Sequence, residues 1–334
     1  MENVVKLKDI AHEVGVSVVT VSNALAGKRG VSAQIRERVI SKANEMGYDV
    51  SKYDKKESRA VKIGVIVSEK YLEVGTSFYW DMYQQVAYET SRKQGFTIFE
   101  ILEKNKRSQE TLPQVLKEET IDGLIVIGWV EKRLIERIVF ASKVPIVLLD
   151  FYDVDVECDC VMSNNYIGMY KATRYLLDRG HRDIAFVGSI RANDNIMDRY
   201  FGYRKGLAES GMELREEWRI EDRNIDTGEM KPLHLPSRMP TAFVCNSDFT
   251  AGLLYDELTK NGYRIPEDVS IVGYDNYLYG HPFADEITTY NVDMEKMAKA
   301  AVNILFKQMK KNSKHQGIRY IDSDIVERNS VRCL

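Results

Sequence analysis

Leu7-Lys8-Asp9-Ile10-Ala11-His12-Glu13-Val14-Gly15-Val16-Ser17-Val18-Val19-Thr20-Val21-Ser22-Asn23-Ala24-Leu25 is the stretch that decides how the rest of this chain is read. Ile10, Ala11 and Val14 recur at helical spacing and predict one buried face on a first short helix. Gly15 can take the left-handed conformation that ends a helix. Ser17 is placed to cap a second helix, whose Val21 and Leu25 turn back toward the first. Val18, Val19, Ser22 and Asn23 are left on the outside. Two short helices joined by a tight turn form the helix-turn-helix, which lays its second helix in the DNA major groove. Small, β-branched and amide side chains on that outer face suit such a role.

The segment Ala11-x3-Gly15-Val16-Ser17-x2-Thr20-Val21-Ser22 resembles the head of the LacI/GalR family of bacterial regulators. The match continues through Gly30-Val31-Ser32, Arg36-Glu37-Arg38-Val39 and Glu45-Met46-Gly47-Tyr48. The resemblance implies base contacts at Val18, Val19 and Asn23. An Asn can pair with the adenine edge and a Val can pack on the thymine methyl. Packing within the head is the plainer role for the two valines. Thr20 and Ser22 fall at phosphate-contact positions, which set register without reading sequence. Lys6, Lys28 and Arg29 are candidates for added backbone charge.

Length and composition set the frame. A chain of 334 residues suggests two or three domains. No apolar run reaches the ~18–20 residues that span a membrane. The first ten residues are charged and lack the apolar core of a secretory signal, so a cytoplasmic location is expected. Four cysteines do not make a disulfide framework, and Cys158-x-Cys160 lacks a second ligand pair for a metal; plain thiols are expected, with no cofactor. Residues 1–59 carry eleven Lys/Arg against eight Asp/Glu, a charge of +3; the rest carry thirty-six against forty-two, a charge of −6. A basic head on an acidic body fits a nucleic-acid-binding end on a sensor.

The head is expected to span 1–49 and a charged linker 50–60. In the resembled family the linker holds a Pro-Asn and a short hinge helix whose leucine wedges into the minor groove. Here Asp49-Val50-Ser51 replaces the Pro-Asn, and no leucine lies between Met46 and Leu72. Tyr53 is the large apolar candidate for a wedge that kinks DNA.

Beyond 60 the pattern alternates. Strands are expected at 62–68, 96–102, 123–128, 145–151, 184–189, 242–245 and 270–274, with helices notably at 80–93, 170–179 and 249–261. Such alternation predicts parallel sheets covered on both faces, with ligands beyond the strands' carboxyl ends. The resemblance also extends over this region. Its ordered matches include Asn165-x2-Gly168-x3-Ala172, Gly180-His181-Arg182, Arg199-x2-Gly202-Tyr203, Pro240-Thr241-Ala242, Gly273-Tyr274-Asp275 and Arg328-Asn329-Ser330. It implies a small all-α head joined to an α/β core like a periplasmic binding protein. That core has two doubly wound lobes and a ligand cleft, one lobe at about 61–162 and 291–322, the other at about 163–290 and 323–334.

The same resemblance puts Arg199 and Asp275 where the family grips ligand, and Phe78 where an apolar group touches it. An interlobe salt bridge is the alternative for the Arg–Asp pair. Asp150 ends an apolar strand beside the cleft. Arg with two carboxylates suits a sugar, whose hydroxyls both donate and accept. Tyr79 and Trp129 are candidate stacking rings, with core packing as the alternative. Ser247 stands where the family carries Asn, and Tyr274, Tyr277 and Tyr279 line either the pocket or the crossover. No nucleophile elbow, P-loop or zinc-protease motif is present, so no enzyme is expected.

The expected protein is a dimeric, ligand-responsive regulator of transcription, a repressor of carbohydrate-utilisation genes on a pseudo-palindromic operator with a sugar-like effector. No leucine heptads precede Leu334, so a tetramer built by such a tail is not expected. The alternatives are a solute-binding receptor and a head on an unliganded dimerisation scaffold.

Overall fold

The computed structural model describes residues 5–26, 28, 30–49, 60–72, 77–103, 111–117, 120–225, 227–278, 280–310 and 315–334. It divides into two compact units, 1–60 and 61–334. In the first, α1 (Leu7–Val14), α2 (Val18–Leu25) and α3 (Ala33–Glu45) enclose a core of Ile10, Val14, Val21, Leu25, Val39 and Ala43. Ile10, Val21 and Val39 are wholly buried. Removing each from water stabilises the unit by about 1.5–3 kcal/mol. The turn is built as its residues dictate. Gly15 takes φ 73° and donates its N–H to the Ala11 carbonyl at 3.0 Å. Ser17 Oγ then accepts the Thr20 N–H at 3.0 Å, and Ser32 Oγ accepts that of Ile35 at 3.3 Å.

The second unit alternates strand and helix. In chain order it runs β1 (Lys62–Ser68), α4 (Phe78–Arg92), β2 (Phe96–Leu102), α5 (Gln114–Lys117), β3 (Gly123–Ile127), α6 (Lys132–Ala141), β4 (Ile146–Leu149) and β5 (Asp159–Ser163). Then follow α7 (Asn165–Asp178), β6 (Ile184–Val187), α8 (Asp194–Glu209), β7 (Arg219–Ile220), β8 (Ala242–Cys245), α9 (Asp248–Lys260), β9 (Ser270–Asp275), β10 (Thr288–Asn291), α10 (Met294–Met309), β11 (Ile318–Ile321) and β12 (Ile325–Val326). They form two six-stranded sheets, ordered β11-β5-β4-β3-β1-β2 and β12-β10-β9-β8-β6-β7. All pairings are parallel except β12 against β10. Each of β3, β4 and β8 is buried at every residue, because helices cover both faces.

The chain crosses between the sheets three times: after Ser163, after Asn291, and between Ile321 and Ile325. In both sheets the winding reverses beside the first strand, between β1 and β3 and between β6 and β8. Such a reversal opens a crevice beyond the carboxyl ends of the strands. Among the described residues no helix is long and apolar enough to cross a membrane.

Candidate functional site

The head presents its outer face through α2. Val18 and Val19 are 44% and 68% exposed on the first turn, so neither fills the head's core. Ser22 and Asn23 are half-buried one turn later. Thr20 Oγ1 sits 2.8 Å from Ser17 Oγ and belongs to the helix cap. Lys6 precedes α1 with its N–H donated to Asp9 Oδ2 at 2.8 Å. Lys28 is exposed, and its carbonyl accepts from Arg36 Nη2 at 2.6 Å. Arg29 and Tyr53 lie outside the described residues. The N-terminus of α2, with its free amide ends and apolar exposed knobs, can approach a phosphate and a base edge together.

In the second unit the candidates lie at or after the carboxyl ends of strands, in the connections and helices that follow them. Phe78 and Tyr79 open α4 after β1, Trp129 follows β3, and Asp150 follows β4. Arg199 lies in α8 after β6, Ser247 follows β8, and Asp275 ends β9. Asp150 and Asp275 carry positive φ, 65° and 94°. Aspartate tolerates this better than most residues, but each instance costs on the order of 1–3 kcal/mol.

These side chains meet through a hydrogen-bond chain. Tyr79 Oη donates to Asp150 Oδ2 at 3.0 Å. Asn195 Nδ2, from the first turn of α8, donates to the Asp150 carbonyl at 3.1 Å and to its Oδ2 at 3.3 Å. Asn165 Nδ2 donates to Asn195 Oδ1 at 3.0 Å, and Arg199 Nε donates to Asn165 Oδ1 at 2.8 Å. Arg199 Nη1 reaches the Asn246 carbonyl at 2.6 Å, and its guanidinium lies 4.0 Å from the Tyr274 ring centre. Arg199 gets there because Gly202, three residues on, packs on the α7 backbone: a Cβ there would overlap the Tyr166 carbonyl. Asn246 is pinned in turn, its Nδ2 donating to the buried Asp222 at 2.7 Å.

The electrostatics follow from burial. Desolvation pushes Asp150 up to about 6, against the pull of Arg199, Tyr79 and Asn195. Burial and the neighbouring Asp248 raise Asp275 well above the carboxylate range. Burial likewise lifts Asp248 to about 7, although Thr289 and the Tyr277 N–H oppose it. Burial acts upward on Asp222 too, but Arg223, Thr250 and Asn246 outweigh it and leave it at about 2. Asp150 and Asp275 both feel the Arg199 charge, and burial makes the ionised form of each costly.

Aromatic rings complete the wall. Phe78 meets Tyr277 edge-on at 5.7 Å and Tyr79 at 5.3 Å, while Tyr71 and Tyr79 lie 4.4 Å apart. Lys70 Nζ sits 4.1 Å from the Trp129 ring and 4.7 Å from Tyr71. The space bounded by Tyr71, Tyr79, Trp129, Asp150, Asp194 and Asn195 is about 10 Å³. It adjoins a larger opening of about 200 Å³ lined by Lys70, Tyr71, Asn193, Arg223 and Glu229.

Not every candidate joins this group in the same way. Ser247 Oγ caps α9, accepting from Thr250 N at 3.2 Å and donating to Thr250 Oγ1 at 3.0 Å. Tyr274 serves both places left open by the sequence: it lies under Arg199, and its hydroxyl is 3.5 Å from Ser163 at the first crossover. Tyr279 lies outside the described residues. Asn165, Asn195, Asn246 and Tyr71 were not singled out as site residues. Asn195 was within reach, since it precedes Arg199 by four residues and shares its helix face.

Comparison with known proteins bears on both units. Residues 6–51 match the family model for bacterial regulatory proteins of the lacI family, and residues 173–331 match that for a periplasmic binding protein-like domain. The HTH-type transcriptional repressor PurR of Vibrio campbellii is 28% identical over 98% of this chain and 99% of its own. Among solved structures, a transcriptional regulator CelR–cellobiose complex aligns with TM-score 0.70 and 22% identity over 98% of this chain and 99% of that one. A lac repressor dimer bound to operator and the anti-inducer ONPF aligns at 0.68 and 19%, over 99% and 100%. These structural likenesses speak for the fold.

Proposed function

We propose, from the premise that this chain belongs to the lacI family of DNA-binding bacterial regulators, that its body senses a small neutral sugar. Residues 1–49 would read the operator, 50–60 would link, and 61–334 would bind effector and dimerise. The observation that carries the sugar reading is the grouping of Asp150, Asp275 and Arg199 inside a ring of aromatics. A vicinal diol donates to a carboxylate while accepting from a guanidinium, and aromatic faces stack on its C–H groups. An anionic effector would bring a second negative charge beside the buried Asp150. The target genes on this reading are those of carbohydrate use, and repression is relieved when effector favours a body arrangement that does not hold DNA.

A dimer is supported by large apolar side chains that are exposed, among the described residues, on α4 and β2. Trp80 and Tyr88 on α4 and Phe96 and Ile101 on the edge strand β2 are all 40–61% exposed. An edge strand of this kind calls for a covering partner. A second copy would bring two heads to a twofold operator.

A flat purine base is the rival occupant, favoured by the carboxamides of Asn165 and Asn195, which pair with base edges as readily as with hydroxyls. DNA selection with the full chain at about 0.15 M salt, where non-specific binding is weak, identifies the operator. Anisotropy on that operator with panels of neutral sugars and of purine bases then decides. Release or tightening by one sugar supports the reading; a response to a base alone replaces it; a palindromic operator with no response to either leaves a scaffold body.

A further inference from the structure

We infer that Asn195 is a latch that competes with effector for Asp150, holding the two lobes together with the hydrogen bonds an effector would otherwise make. The inference rests on the effector reading above for its meaning, but its geometry is independent of what the effector is.

Asp150 follows β4 of the first sheet, and Asn195 lies in the first turn of α8, which follows β6 of the second. Two hydrogen bonds from Asn195 Nδ2 therefore cross the cleft, one to the Asp150 carbonyl and one to its carboxylate. The other end of the same carboxamide accepts from Asn165, which in turn accepts from Arg199. One planar group so presents donors to the anionic side of the cleft and an acceptor toward the cationic side. A sugar diol or a lactam presents the same pair. With Tyr79 and Asn195 both donating, the Asp150 carboxylate is engaged from each lobe. The small space bounded by Tyr79, Asp150 and Asn195 is about the size of one water. An effector that engages Asp150 Oδ2 takes the place of the Asn195 carboxamide or of the Tyr79 hydroxyl, so a molecule that supplies only acceptors gains nothing from the exchange. Asn195 thereby selects for effectors rich in donors.

Trp129 borders the same space and reports on it. The full chain is labelled with 5-fluorotryptophan and its 19F spectrum recorded at pH 8 without added sugar. The three tryptophan signals are assigned with Trp129→Phe. Asn195→Ala removes both cross-cleft bonds and should raise the open population about tenfold, the effect of losing a pair of modest hydrogen bonds. The Trp129 signal then moves or splits, while those of Trp80 and Trp218 stay in place and certify the fold. Asn195→Asp keeps the size but sets a carboxylate against Asp150, so it should open the cleft at least as far. If either variant leaves the Trp129 signal at its unsubstituted position, the latch is overturned. That outcome leaves the effector reading standing, because sugar binding to the unsubstituted chain tests it separately.

Discussion

Asp150→Asn should change how the stability of the body depends on pH. Asp150 is 3% exposed, and burial raises its pKa from 3.8 to about 6. Between those values the folded state keeps a proton that the unfolded chain has released. The stability this contributes is fully present below about pH 4 and is lost as pH rises through 6. The rise from 3.8 to about 6 is worth about 3 kcal/mol. Asparagine tolerates the left-handed backbone at this position and still accepts from Tyr79, yet does not titrate. The unsubstituted protein should therefore lose about 3 kcal/mol relative to Asp150→Asn between pH 4 and pH 7. Asp248 and Asp275 titrate in both proteins, and their direct effect cancels in the difference. Urea unfolding followed by tryptophan fluorescence measures this cleanly, because Trp80, Trp129 and Trp218 all lie in the body. Parallel pH profiles for the two proteins would show that Asp150 is solvated well enough to titrate normally, and the argument from burial would fail.

Two further outcomes are expected from the geometry. Asn23→Ala should cost about 1–3 kcal/mol of operator discrimination at one base position by anisotropy, while Lys28→Ala should weaken all sequences alike and lower the salt slope by about one; equal loss on specific and random DNA for Asn23→Ala would remove it from base reading. Gly202→Ala forces a methyl into the Tyr166 carbonyl and should destabilise the body by about 1–3 kcal/mol in urea, with Trp129 fluorescence altered as Arg199 moves; an unchanged midpoint would mean that α7 and α8 separate at no cost.

The head was legible because its signals are local. Periodicity fixed Ile10, Val14 and Val21, and the residues of the turn, Gly15 and Ser17, have conformational requirements that a neighbour cannot change. The apolar strands β1, β3, β4, β8 and β9 were equally plain, since burial on both faces demands continuous apolar runs. β5, β10 and β11 escaped notice: Asp-Cys-Val-Met-Ser, Thr-Thr-Tyr-Asn and Ile-Arg-Tyr-Ile have mixed polarity and become strands only through their neighbours. The helix sought at 170–179 starts at 165, because Asn164 caps it with its side chain on the Ile167 N–H. Within the cleft, Asp150 and Arg199 stood out by position or motif. Asn165 and Asn195 did not, because an asparagine declares no partner until the fold supplies one.

The two sheets share an order that the sequence hides. Each winds 2-1-3-4-5 and gains one further edge strand, β11 from the chain's second crossing and β12 from its third. Asp150 follows the fourth strand of the first sheet, and Asp275 ends the fourth of the second, both with positive φ. The strain recurs at equivalent places in two segments with no evident repeat between them, so it is better explained by a demand of the cleft than by accident of sequence. The segments after the first strand of each sheet differ. In the first sheet that segment supplies Phe78 and Tyr79, and in the second it supplies Asn195 and Arg199. A ligand between these two aspartates would therefore meet Phe78 and Tyr79 from one lobe and Asn195 and Arg199 from the other. Such a site can grip a molecule with an apolar face and a polar rim only when both lobes are in place. Binding and lobe arrangement are then one event, which is the coupling a switch requires.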